Sequence, residues 1–279
     1  MTLDKAPVTA LPLHPMHPHV WAKHLSIARA GAEVLTALAE RRIFPVVVKG
    51  GVTAHRLYDD PSERMLSDLD LRVTATELVP AREIGRAKGW KEVLHSRAYG
   101  MLSFEVLGQL VEFERFVGPP YFSSWSVEEL RRDAVRRADI FSVEHLEPRF
   151  EDHVLITAIN IFKDKLLDTK MGSLEDLRRF AAHAEWNERA IMTRSRAHEL
   201  DTVLATVAEM YKTEPGWDQL ASHAKWSRST RAFVALYTHL AQRFPASMAL
   251  RLAMRTAGSK ALLPRAAVAS LARLIELCS

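Results

Sequence analysis

Residues 46–73 read VVVKGGVTAHRLYDDPSERMLSDLDLRV, and the placing of glycines and carboxylates in this stretch decides the fold. Val46, Val47 and Val48 form a short β-branched run that stops at Lys49-Gly50-Gly51, the pattern of a buried strand ending in a glycine turn. Residues 52–58 have helical composition. Asp59-Asp60-Pro61-Ser62 is a turn cluster, and Asp68-Leu69-Asp70-Leu71 opens a second strand. Side chains alternate across a strand, so Asp68 and Asp70 share one face while Leu69 and Leu71 point to the other. Two carboxylates on one face repel unless they are solvated, protonated or bridged by a cation. Oxygen-only ligands suit Mg2+ (or Mn2+), which keeps some of its waters and borrows oxygens from a substrate phosphate.

Working outward, residues 21–42 have apolar positions at helical spacing and are expected to pack on the sheet begun by Val46. A helix capped by Thr76 is expected to run to about residue 88 and stop at Gly89. A strand at 90–94 follows, then a hairpin of 101–106 and 110–117 around Gly108-Gln109. Its second strand carries Val111-Glu112-Phe113-Glu114, so Glu112 and Glu114 also share a face. From residue 127 onward the pattern is helical throughout. Residues 127–138 carry Arg131, Arg132, Arg136 and Arg137, read as a solvated helix face. A helix over 151–167 ends in Lys163, Asp164 and Lys165, and Ser173-x-x-Asp176 has the spacing of a capping box. Further helices are expected near 187–197, 199–212, 228–243, 245–256 and 265–277. The last two are basic and are read as packing helices.

The chain has 279 residues, enough for one large domain or two ordinary ones. Its 48% hydrophobic and 26% charged residues describe a soluble globular protein. A net charge of +4 tolerates a polyanion without demanding one. One cysteine, Cys278, excludes an internal disulfide framework and fits a reducing cytosol. Residues 1–19, with Pro7, Pro12, Pro15 and Pro18, read as a flexible leader whose histidines belong to a linker. No signal peptide and no membrane-length apolar run is visible, so a cytoplasmic protein without membrane insertion is expected.

Gly-Gly after a strand, a helix, and Asp-x-Asp on the next strand resemble the nucleotidyltransferases of the DNA polymerase β superfamily. Lys49-Gly50-Gly51, Leu57-Tyr58, Asp60-Pro61, Arg64 and Ser67-Asp68-Leu69-Asp70-Leu71-x-Val73 look like the bacterial uncharacterised nucleotidyltransferases called nucleotidyltransferase family 5. The whole stretch is specific where either short motif alone would be weak. The resemblance extends more loosely through about Tyr211. It implies a third carboxylate on a later strand, where Glu112 stands at the acidic position and Glu114 where a histidine is usual. It also implies that the first helix after the sheet lies over the nucleotide cleft, which offers Lys163 or Lys165 to phosphate. Two departures are visible: many superfamily members have serine where Gly51 stands, and Glu112 is one methylene longer than the usual aspartate.

The expectation is therefore an α+β protein: a leader (1–19), a polymerase-β-like domain of small mixed sheet and flanking helices (20–124), and an all-helical domain (125–279). The resemblance implies transfer of a nucleoside monophosphate from an NTP, ATP first among them, to an unidentified small molecule, peptide or RNA. Asp68, Asp70 and Glu112 are the expected metal ligands in a two-metal scheme. Gly50, Gly51, Lys49, Arg64 and Ser67 are the expected phosphate contacts, with Glu114 and Lys163 behind them. The alternatives are a non-catalytic nucleotide- or protein-binding member and an RNA-directed, toxin-like transferase. Oligomeric state is left open.

Overall fold

The computed structural model describes residues 17–120, 122–162, 172–221, 226–232 and 234–235. The architecture is α+β, as expected. Helix α1 (Pro18–Ala39) opens with proline at its first position, where a missing N–H costs nothing. The chain then reverses at Arg42 (φ 58°) into strand β1 (Val46–Val48). Helix α2 (Gly50–Leu57), a 3-10 turn (Pro61–Glu63) capped by the Asp60 carboxylate, and strand β2 (Asp68–Arg72) complete the central unit. Helix α3 (Leu78–Ala87) starts two residues after the expected cap. Glu77 accepts the Thr74 N–H, and Thr76 does not cap the helix. Gly89, at φ 74°, ends that turn as expected.

Strands β3 (Lys91–Ser96), β4 (Met101–Val106) and β5 (Gln109–Glu114) follow. The β4–β5 turn falls on Leu107-Gly108, one residue before the expected pair. Both residues have positive φ (50° and 74°), the twist that two-residue hairpins require. Helix α4 (Val127–Asp133) carries a complete Ser126–Glu129 capping box and is shorter than the expected helix. The remainder becomes strand β6 (Val135–Arg137), which pairs with β7 (His145–Glu147). The sheet thus has seven strands in the order β3-β4-β5-β2-β1-β7-β6, with β2–β5 and β1–β7 parallel. Helices α5 (Phe150–Asn160), α6 (Gly172–Ala182), α7 (Glu188–Ala197), α8 (Asp201–Met210) and α9 (Trp217–Ala221) form the layer beyond it. The expected helices over 245–256 and 265–277 lie outside the described residues.

Alternation assigns the two sheet faces. Val47, Leu69, Leu71, Phe104, Val111 and Phe113 pack with α1 and α3 in one core. Leu69 and Leu71 are wholly buried there, at about 1.5–3 kcal/mol each, which fixes the register of β2. Val46, Val48 and Leu146 point the other way, into a second core built on α5 to α9. Val48 lies opposite Asp70 and Val46 opposite Arg72, so these polar side chains share that second face.

Candidate active site

Four carboxylates gather on this face. Parallel pairing sets Asp70 beside Glu112 and Arg72 beside Glu114, and Asp68 lies two residues nearer the strand's exposed start. Ligand oxygens of Asp70, Glu112 and Glu114 all lie within 4.8 Å of one another. Asp68 stands apart from this trio, and its carboxylate accepts a 2.7 Å hydrogen bond from Ser67 Oγ. Asp70 is buried, whereas Glu112 and Glu114 are partly buried.

The cations present divide these acids. Arg72, 2% exposed, gives Nη2 to Glu114 Oε2 at 2.8 Å. Its Nε and Nη1 have no hydrogen-bond partner among the described residues. Lys49 Nζ stands 2.5 Å from Asp70 Oδ1. Burial pulls the Lys49 ammonium down, but Asp70 and Glu114 hold it above the ordinary lysine value. The Glu112 carboxylate makes no hydrogen bond or ion pair among the described residues. Burial, and then the charges of Asp70, Glu114 and Asp68, push its carboxyl up to about 7. An acid so placed lacks a counter-charge. With Glu112 ionised, four carboxylates against Lys49 and Arg72 leave two negative charges, the deficit one divalent cation fills. The oxygen-only donor set fits Mg2+ or Mn2+.

The strand-to-helix turn adjoins this cluster. Lys49 caps α2 with φ 55° and ψ −139°, a conformation costing a non-glycine residue about 1–3 kcal/mol. A Cβ on Gly50 would stand 2.5 Å from Arg64 Nη1 and 2.7 Å from Leu66 Cδ2. On Gly51 it would meet Leu69 Cδ1 at 2.8 Å and Val47 Cγ1 at 3.5 Å, both inside the core. A serine at 51 would therefore point into the core here, which accounts for the missing hydroxyl. N–H groups in the first turn of a helix lack intrahelical partners and suit an anion.

Arg64 sits beside this turn, but its fork is engaged: Nε and Nη2 each donate to Asp176 at 2.8 Å. Tyr58 Oη donates to the same carboxylate at 2.8 Å, and Asp176 falls inside α6. Asp176 thus ties the helical layer to the central unit, where sequence reading made it a helix cap. Lys163 and Lys165 lie outside the described residues.

A second cluster, Asp139, His145 and Glu147, has the same tight spacing. Here Arg56 answers the charge with two 2.8 Å bonds to Asp139 and bonds of 2.8 and 2.6 Å to Glu147. Asp139 is held at about 2 by the Arg56 hydrogen bond. Glu147, despite burial, is also brought to about 2 by His145 and Arg56. Opposite displacements separate the clusters: acids at Arg56 are neutralised, and Glu112 is not.

Sequence reading missed this network, because Asp139 and Glu147 meet Arg56 only across the fold. It also read the arginines of 127–138 as a solvated face. Arg132, Arg136 and Arg137 are exposed as expected, Arg136 pairing with Glu144 at the surface, but Arg131 makes paired bonds of 2.7 and 2.5 Å to Glu77. Arg72 was legible in principle, since it lies two residues beyond Asp70 on the same face.

The mixed sheet thus carries an acidic cluster beside the Gly-Gly start of α2. The family model described as uncharacterised nucleotidyltransferase matches residues 9–213, and the chain belongs to that family. No curated protein sequence matches it. Among solved structures, the chain is similar to a solution structure of the antibiotic-resistance factor ANT(2'')-Ia, at 18% identity and TM-score 0.46, over 64% of this chain and 94% of that one. A crystal structure of ANT(2'')-Ia in complex with adenylyl-2''-tobramycin is similar at 14% identity and TM-score 0.42, over 63% and 99%. No helix among the described residues is long and apolar enough to cross a membrane.

Proposed function

We propose that the protein transfers a nucleoside monophosphate from an NTP, ATP first among them, to a hydroxyl or similar nucleophile of an acceptor, releasing pyrophosphate. The observation that carries this reading is the Asp70–Glu112–Glu114 cluster, in which Glu112 has no counter-ion beside the Gly50-Gly51 turn. Asp70 and Glu112 would hold the divalent ion, Glu114 being engaged by Arg72, with Asp68 available at the open end. Such an ion, when bound, neutralises triphosphate charge and lowers the pKa of the acceptor hydroxyl. The N–H groups that open α2 would bind phosphate oxygens, with Lys49 and Ser67 beside them. The acceptor oxygen bonds to the α-phosphorus as the bridge to the β-phosphate breaks. Positioning and charge neutralisation supply most of the rate in such transfers, so no covalent residue is required. A second ion on Asp68 and Asp70 would complete the two-metal scheme. We place the protein in the cytoplasm, with the acceptor open among small molecules, peptides and RNA.

One observation favours a second reading, a member that binds nucleotide without turning it over. Lys49 and Arg72 already neutralise two of the four acids, and Glu112 replaces the usual aspartate. Incubation with each labelled NTP, Mg2+ and fractionated acceptor extracts, read by mass spectrometry, separates the readings. The expected result is a nucleotidylated acceptor that disappears with EDTA. Metal-dependent NTP binding with no adduct in any fraction would favour the second.

A further inference from the structure

Lys49 and Arg72 are the two cations of the acidic cluster, and they differ in freedom. Arg72 is 2% exposed; its guanidinium gives Nη2 to Glu114 at 2.8 Å and stands 4.0 Å through Nη1 from Asp70 Oδ1. The Lys49 side chain is 22% exposed and ends on Asp70 alone, at 2.5 Å. Its four-carbon stem is flexible and its head is a compact point charge. Its backbone immediately precedes Gly50-Gly51 at the start of α2.

Asp70 is also the acid that any ion in this cluster must share with Glu112. An ammonium on one of its oxygens and a divalent ion on the carboxylate would stand a few ångström apart, and like charges at that range repel strongly in a partly buried site. We infer that Lys49 is an exchangeable resident cation: it occupies Asp70 in the metal-free protein and is displaced when the divalent ion binds. The inference rests on the proposed function and adds a sequence of events to it. Arg72 remains as permanent charge, while the released Lys49 ammonium faces the triphosphate. Metal-free Asp70 thereby keeps a close counter-charge beside the longer 4.0 Å pairing with Arg72, and phosphate-binding charge becomes available only once metal is loaded.

Mn2+ binding, followed without nucleotide by electron paramagnetic resonance and calorimetry, tests the exchange. Lys49→Met keeps the Cβ and the length of the chain but removes the competing charge. It should bind Mn2+ about tenfold more tightly than the wild type, within the usual range for two competing ligands. Lys49→Arg keeps a cation and should not tighten. Metal-free Lys49→Met should melt below the wild type and gain more from Mn2+. Its affinity for the Mn2+–NTP complex, once metal is saturating, should fall about tenfold. Unchanged or weaker Mn2+ binding in Lys49→Met overturns the exchange, as does equal tightening in Lys49→Arg. Wild-type Mn2+ binding that survives Asp70→Asn puts the ion elsewhere and also overturns it. No Mn2+ binding by any form without nucleotide overturns the exchange, and its absence with NTP present as well removes the proposed function itself.

Discussion

Glu112 and Glu114 leave the same face of β5, yet their surroundings assign them different work. Arg72 holds Glu114 at 2.8 Å, whereas Glu112 has only like charges around it and the more distant Lys49. Glu112→Gln should therefore preserve the fold and weaken divalent-metal binding about 10- to 100-fold, the usual loss on disturbing a metal's ligand environment. Glu114→Gln should act on stability instead. It removes the closest counter-charge of a buried guanidinium that already has two nitrogens without a hydrogen bond, at a cost of about 3–5 kcal/mol. Metal titrations and urea denaturation of both variants check the division; equal losses of metal affinity would reverse the assignment. Sequence reading found both acids by alternation and favoured Glu112 by resemblance. It could not see why Glu114 is spoken for, because that depends on the register of two parallel strands 42 positions apart between Arg72 and Glu114.

At the scale of elements, the β1–α2 turn was legible because its signal is local: a valine run, then Lys49-Gly50-Gly51. The structure adds a steric role for Gly51. A hydroxymethyl group there meets Leu69 and Val47, so Gly51→Ser should destabilise the fold by about 1–3 kcal/mol, as overpacking of a core does. A variant that melts with the wild type would show that the turn has room. Strands β6 and β7 were not legible. Each is three residues long, and Val135-Arg136-Arg137 continues the arginine spacing of α4, so a helix was the locally favoured reading. Pairing between them, with Arg136 opposite Leu146 and Val135 opposite Glu147, is a tertiary choice.

Across the whole molecule, contacts between the sheet and the helical layer were the least legible feature. Arg64 and Asp176 are 112 residues apart, and Arg179, one turn along the same face of α6, reaches Glu63 at 2.6 Å. Buried and half-buried histidines occupy several elements of this framework. His55, His153 and His198 are each lowered to about 4, chiefly by burial, and His24 is lowered as well. Their folded values lie below the ordinary 6.5, so the unfolded chain takes up protons first as pH falls. The histidines' contribution should be fully present above about 6.5 and be lost progressively toward 4, outweighing the opposite contribution of Glu112, which the folded protein protonates first. His153, 5% exposed, contributes on the order of 3 kcal/mol to that slope. Melting temperatures across this range, with His153→Leu as the comparison, check the sign. A flat profile in the wild type would contradict it.

The central claim is that Asp70 and Glu112 hold a divalent ion through which an NTP is bound beside Gly50 and Gly51. Its most direct test is equilibrium binding of a non-hydrolysable ATP analogue to the wild type and to Asp70→Asn, with Mg2+ and with EDTA. The account expects the wild type to bind in Mg2+ and to lose about a hundredfold or more of that affinity in EDTA, with Asp70→Asn equally weak in both. Equal binding by Asp70→Asn and the wild type in Mg2+ would contradict it.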